Sequence, residues 1–139
     1  RAGRRAQDLR TAQQIAEVGL EAFIDDWIAQ PLFADLPASG SFRAERLRNT
    51  VPGLQSSLTR AGTGSQLPLW DRLPELAMPV LVVAGQRDAK FAALAERMAA
   101  AIGATATLAL VPDAGHAAHL EQPAAFLGIL RPWLAERDL

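Results

Sequence analysis

Cysteine is missing altogether. Without it there are no disulfides and no thiolate metal sites, and with only two histidines and no carboxylate cluster beside them at ligand spacing, no metal centre is expected. Charge of one sign is not in excess either. Fourteen Lys and Arg against fifteen Asp and Glu leave a net charge of −1, which offers no bulk attraction to nucleic acid or to an anionic membrane. The expected partner is a small molecule. No apolar run approaches the roughly 18 residues that read as a membrane span, and the first residues lack the apolar stretch of a signal peptide. A soluble, cytoplasmic protein without membrane contact is therefore expected. Internal repeats and low-complexity tracts are absent too, and so is an initiator methionine: the chain opens on Arg1 within a helical pattern, so the start of the natural protein is expected upstream.

What is present fits about one domain: 139 residues, half of them apolar, enough for a real core. The pattern changes near residue 76, which divides the chain into a helical region, 1–75, and a strand-helix-strand-helix region, 76–139. In the first, Ala12, Ile15, Gly19, Ala22 and Phe23 recur at three to four residues and continue into Trp27 and Ile28, which predicts one long amphipathic helix ended by Pro31. The basic run "RAGRRAQDLR" at its front reads as a solvated helix face rather than an anion-binding arm. "SFRAERLRNT" and "GLQSSLTRAG" read as two short helices separated by Pro52 and Gly53, and "LPLWDRLPEL" as a helical turn before the sheet.

In the second region "VLVVA", Val80 to Ala84, is a continuous apolar run of the kind found in a parallel strand covered on both faces. From Phe91 the spacing Phe91, Leu94, Ala95, Met98, Ala99, Ile102 predicts a helix with Phe91 in the core, stopped by Gly103. "TLALV", Thr107 to Val111, is a second strand. Pro123 suits the first turn of a last helix with Phe126, Ile129, Leu130, Trp133 and Leu134 on its apolar side, and Pro132 is expected to kink it or end it early.

Strand, crossover helix, strand makes the two strands parallel, so their C-terminal ends share one edge, where open α/β folds bind ligands. "GQRD" follows the first strand and "PDAGH" the second, so Asp88 and His116 leave neighbouring loops on that edge. A carboxylate bonded to one imidazole nitrogen fixes the tautomer and stabilises the imidazolium, while the other nitrogen takes a proton. Two unrelated polar loop residues would share the same spacing. His119, near the start of the last helix, competes with His116 and is read as lining the pocket or lying on its rim. Glu121 is read as favouring the positive end of the last helix, and Lys90 as an ordinary surface residue.

Asp88 and His116, in that order, resemble the last two members of the triad of the α/β-hydrolases, which runs Ser, Asp or Glu, His along the chain. "FIDDWIAQPLF", "RNTVPGLQSSL", "GTGSQLPLW", "GQRDAKF" and "GHAAHLEQP" together resemble, from about Arg1 to Pro123, the 2-succinyl-6-hydroxy-2,4-cyclohexadiene-1-carboxylate synthases of menaquinone biosynthesis. That family usually has Glu where this chain has Gln86.

The resemblance implies the C-terminal part of an α/β-hydrolase fold, a helical lid plus the last two parallel strands and their helices, with the N-terminal part absent from this chain. It implies catalytic roles for Asp88 and His116, and contact of Trp27 and Arg48 with a small anionic substrate. It also implies a serine base that drives loss of pyruvate without an acyl-enzyme and without a cofactor. No G-x-S-x-G elbow occurs, and neither Ser41 nor Ser65 follows a strand, so the serine is expected upstream of Arg1 and the chain alone is expected to be inactive. Its expected partners are the missing half of the fold or an intertwined oligomer. A carboxylesterase-type hydrolase with the same triad, and a noncatalytic truncated module, are the competing readings.

Overall fold

Alanine, arginine, glutamine and leucine dominate the first residues, all good helix formers, and α1 runs from Ala2 to Val18. It buries Asp8, Ala12 and Ile15 along one stripe. The computed structural model describes residues 1–137. These pack as two units, one of Arg1–Gln30 with Ser41–Pro68, the other of Pro31–Gly40 with Leu69 onward.

In the first unit the single long helix expected from periodicity is instead two. Gly19 takes φ 82° and ψ 167°, a conformation that costs little only without a Cβ, and α2 resumes at Leu20–Ile28. The break loses little hydrogen bonding, because Gly19 N–H still donates to the Ile15 carbonyl at 3.1 Å and Phe23 N–H to the Gly19 carbonyl at 3.1 Å. It also brings together residues that a straight helix would hold about 12 Å apart along its axis: Ile15, Phe23 and Ile24 form one buried cluster with Leu47, Val51, Leu54 and Leu58 around it.

The shorter helices follow. α3 is Arg43–Arg46 and α4 is Val51–Ala61. Pro52 and Gly53, expected to separate two helices, lie inside the first turn of α4, where Thr50 Oγ1 accepts the Gly53 N–H at 3.1 Å. The first turn tolerates proline because its N–H groups have no intrahelical partner. Gln55 then ties α4 to α1 by donating to the Ala12 carbonyl at 2.9 Å.

In the second unit β1 (Val80–Gly85) and β2 (Ala106–Val111) pair in parallel, Val80 opposite Ala106 and Gly85 opposite Val111. The helix between them is α5, Ala89–Ile102. Alternation sends Val82 and Ala84 to one face, packed with Ala95 and Ile102 of α5, and Val83 and Val111 to the other. On that second face lies α7, Pro123–Ala135, through Ala125, Phe126 and Ile129. Both faces are therefore covered, as continuous apolar strands require.

Two expectations change here. Phe91 is 38% exposed while Ala92, Ala95 and Ile102 are buried, so the buried stripe of α5 is displaced by one residue at its first turn. Helix α7 continues through Pro132. A proline there removes a single N–H, and the last turn is still closed by Glu136 N–H to the Pro132 carbonyl at 3.0 Å and Arg137 N–H to the Leu134 carbonyl at 3.0 Å.

Candidate active site

The two strands end at loops that are bonded to each other before any side chain is considered. Gln86 N–H donates to the Val111 carbonyl at 3.0 Å and Arg87 N–H to the Ala114 carbonyl at 2.8 Å. This approach needs glycine at 85, because a Cβ there would fall 1.9 Å from the Gly115 oxygen and 2.4 Å from the Ala114 oxygen. Asp113 turns the second loop at φ 55°, a left-handed conformation that aspartate adopts more readily than most residues. An exposed Arg87–Asp113 ion pair at 3.0 Å adds a tie between the loops, of the kind that contributes little in water.

Asp88 lies at the N-cap of α5 and uses both carboxylate oxygens. Its Oδ1 accepts the Phe91 N–H at 3.1 Å, and its Oδ2 lies 2.8 Å from His116 Nδ1. The cap bond fixes the carboxylate, whose side chain is only 10% exposed, while the His116 side chain is 30% exposed. A carboxylate can only accept, so the imidazole proton sits on Nδ1 and Nε2 is the basic nitrogen. Among the described residues Nε2 has no hydrogen-bond partner. Phe91 stands edge-on to the imidazole with centroids 4.7 Å apart, and Phe33 at 6.4 Å. A cavity of about 190 Å³ opens beside β1, lined by Val82, Gly85, Leu94 and Met98 together with Asp88 and His116. The arrangement is a half-sheltered imidazole with one nitrogen fixed and the other presented to a groove, which suits it to take a proton from a neighbouring group.

The first unit holds a separate cavity of about 210 Å³, where Trp27 joins Arg46, Asn49 and Ser57 over the floor of Ile15 and Phe23. Arg48 is exposed and is not among its lining residues; Arg46 is the arginine there, and its Nε donates to the Ser41 carbonyl at 2.9 Å. His119 is exposed on the short helix α6, Ala118–Glu121, its ring 6.0 Å from that of Phe126. Among the described residues it makes no bond to Asp88, in contrast to His116.

Residues 2–129 match the model of the alpha/beta hydrolase family. The chain belongs to that family. Among its curated relatives, a candidate 2-succinyl-6-hydroxy-2,4-cyclohexadiene-1-carboxylate synthase of Bacillus subtilis (strain 168) is 38% identical over 133 residues, 92% of the chain and 48% of the relative. The synthase of that name from Salmonella newport (strain SL254) is 36% identical over 132 residues, 94% of the chain and 50% of the relative. The solved structure of MenH from S. aureus superposes with a TM-score of 0.92 at 31% identity, covering 99% of this chain and 53% of that one. The chain thus spans about half the length of the relatives it matches.

Of two neighbours of the pair, Phe33 is not marked by the sequence and Glu121 has its carboxylate on the histidine loop and not, as expected, at the start of the last helix. Phe33 comes from a turn far away in sequence, so no local signal marks it. Glu121 does carry a signal: it lies four residues after Ala117 on one helical turn, close enough to reach back over the histidine loop.

Proposed function

We propose that this chain carries the acid and the histidine of a Ser-Asp-His triad in an enzyme that eliminates pyruvate to form 2-succinyl-6-hydroxy-2,4-cyclohexadiene-1-carboxylate in menaquinone biosynthesis. The observation that carries the reading is the 2.8 Å contact between His116 Nδ1 and Asp88 Oδ2 on adjacent parallel strand ends, in a chain whose relatives from Bacillus subtilis and Salmonella newport bear that synthase name. In this reading Nε2 of His116 receives the proton of a serine supplied outside residues 1–139. The serine oxygen takes a proton from the substrate carbon and is a hydroxyl again, and the electron pair left behind expels pyruvate as its enolate, which takes up the proton held on His116. Asp88 stabilises the imidazolium while that proton is held.

The substrate of this reaction is a small molecule with several carboxylates. Trp27 and Arg48 are proposed to meet it from the helical region, with His119 at the rim of the pocket. The remaining strands would come from the other half of the fold or from an intertwined oligomer, and the chain alone would not turn over. Cytoplasmic residence accords with this role, and no helix among the described residues is long and apolar enough to cross a membrane.

The test compares turnover of the cyclohexadiene precursor with that of p-nitrophenyl esters by the full-length protein. Release of pyruvate with negligible ester cleavage is expected. Preferential ester cleavage through an acyl-enzyme burst would replace this reading with an esterase.

A further inference from the structure

We propose that Glu121 is a positioning residue for His116, an inference that rests on the catalytic reading of that histidine. The Glu121 carboxylate accepts two peptide N–H groups, that of Gly115 at Oε2 and that of Ala117 at Oε1, the latter at 2.9 Å. The donors belong to the Ala114–Gly115 and His116–Ala117 peptides, which bracket the Gly115–His116 peptide between them. Ala117 is the N-cap residue of α6, so the bond from its N–H closes the start of that helix in the manner of a capping box, whereas the bond from Gly115 reaches beyond the helix into the histidine loop; neither is directed at the N-terminus of α7, as the place of Glu121 before Pro123 suggested. The carboxylate fills the concavity formed by alternate backbone N–H groups, an arrangement that suits an anion.

The two bonds fix the backbone on both sides of His116 and hence the direction of its Cα–Cβ bond. The bond from Nδ1 to Asp88 then has only the two side-chain torsions left to set. Charge-assisted bonds to two donors at once give such a clamp direction as well as strength. The Ala114–Gly115 peptide is held at both ends, since its carbonyl accepts the Arg87 N–H at 2.8 Å while its N–H donates to Glu121. Space is made for the carboxylate by glycine at 115, where a Cβ would lie 3.0 Å from Glu121 Oε2 and 3.2 Å from Asp35 Oδ2.

The experiment follows the His116 Nδ1–H proton by NMR in the full-length protein labelled with ¹⁵N-histidine, assigned through its loss in His116→Gln. Wild type is expected to show a downfield, slowly exchanging Nδ1–H. In Glu121→Ala its exchange with solvent rises about tenfold or more, the scale of one charge-assisted hydrogen bond, and kcat falls about tenfold with KM little changed. Glu121→Gln keeps the length and one acceptor but turns an NH₂ toward one of the two peptide N–H groups, so faster exchange is expected there too. If the alanine variant does not fold, the glutamine variant decides. An Nδ1–H signal with wild-type exchange in a folded variant overturns the clamp, as does absence of the signal from wild type. Faster exchange in the variants of a protein that makes no pyruvate would uphold the clamp and remove the proposed reaction instead.

Discussion

At the scale of single residues, the contrast between His116 and His119 is decided by what each ring can reach. His116 has a carboxylate at 2.8 Å on Nδ1, whereas His119 has an aromatic neighbour, Phe126, at 6.0 Å. In the full-length enzyme His116→Ala is therefore expected to lower kcat by about 10²–10⁴, the usual contribution of a positioned base, while His119→Ala chiefly raises KM. Steady-state kinetics on the two variants checks this, and the reverse ranking would make His119 the base. The positions of Asp88 and His116 were legible because each follows an apolar strand at a short, glycine-containing turn, and strand order alone brings such turns to one edge. The role of Glu121 was not legible. Sequence shows its spacing from Ala117, but its reach depends on the curl of the loop through Asp113, whose left-handed φ of 55° spacing alone does not reveal.

The elements were legible where one residue pattern had one solution and illegible where a single backbone angle decided. Apolar runs at 80–84 and 107–111 gave the strands to within a residue or so. The helical periodicity through Gly19 was real, since Ile15, Phe23 and Ile24 do share a core, but periodicity cannot tell a continuous helix from two helices whose faces meet. Ile15 has 0% exposure at that junction. Ile15→Ala should accordingly cost about 2–5 kcal/mol, the range for emptying a well-packed core site, read as a lower urea midpoint with unchanged slope. A second element-scale contact is pH-dependent. Arg43 Nε donates to Asp25 Oδ1 at 2.6 Å and Nη2 to Oδ2 at 3.0 Å, tying α3 to α2. The hydrogen bond from Arg43 holds the Asp25 carboxyl below its ordinary 3.8. A lowered folded value means that the pair contributes fully above the unfolded pKa and loses its contribution as pH falls through the folded one. Urea midpoints of wild type should therefore exceed those of Asp25→Asn slightly near neutral pH, and the gap should close in acid and in high salt, because the pair is exposed. A gap that widened in acid would contradict this.

For the molecule as a whole the question is what lies along the free edge of β1. Among the described residues the sheet has two strands, with β2 on one side of β1, so the other edge presents backbone N–H and C=O groups without a strand partner. The groove beside it is lined by Val82, Val83, Leu94 and Met98, and exposed apolar side chains elsewhere include Leu67 at 76%, Leu69 at 60% and Met78 at 58%. An unpaired apolar strand edge is a template for further pairing, and two strands are fewer than independent stability usually requires. The chain studied by itself is accordingly expected to self-associate, with sedimentation giving species heavier than a monomer and hydrophobic dye binding that is strong at low concentration and falls as association proceeds. Coexpression with the other half of the fold should suppress association in wild type by occupying the same edge. A wild-type chain that sediments as a monomer and unfolds in one cooperative thermal transition would show that its two strands need no further partner.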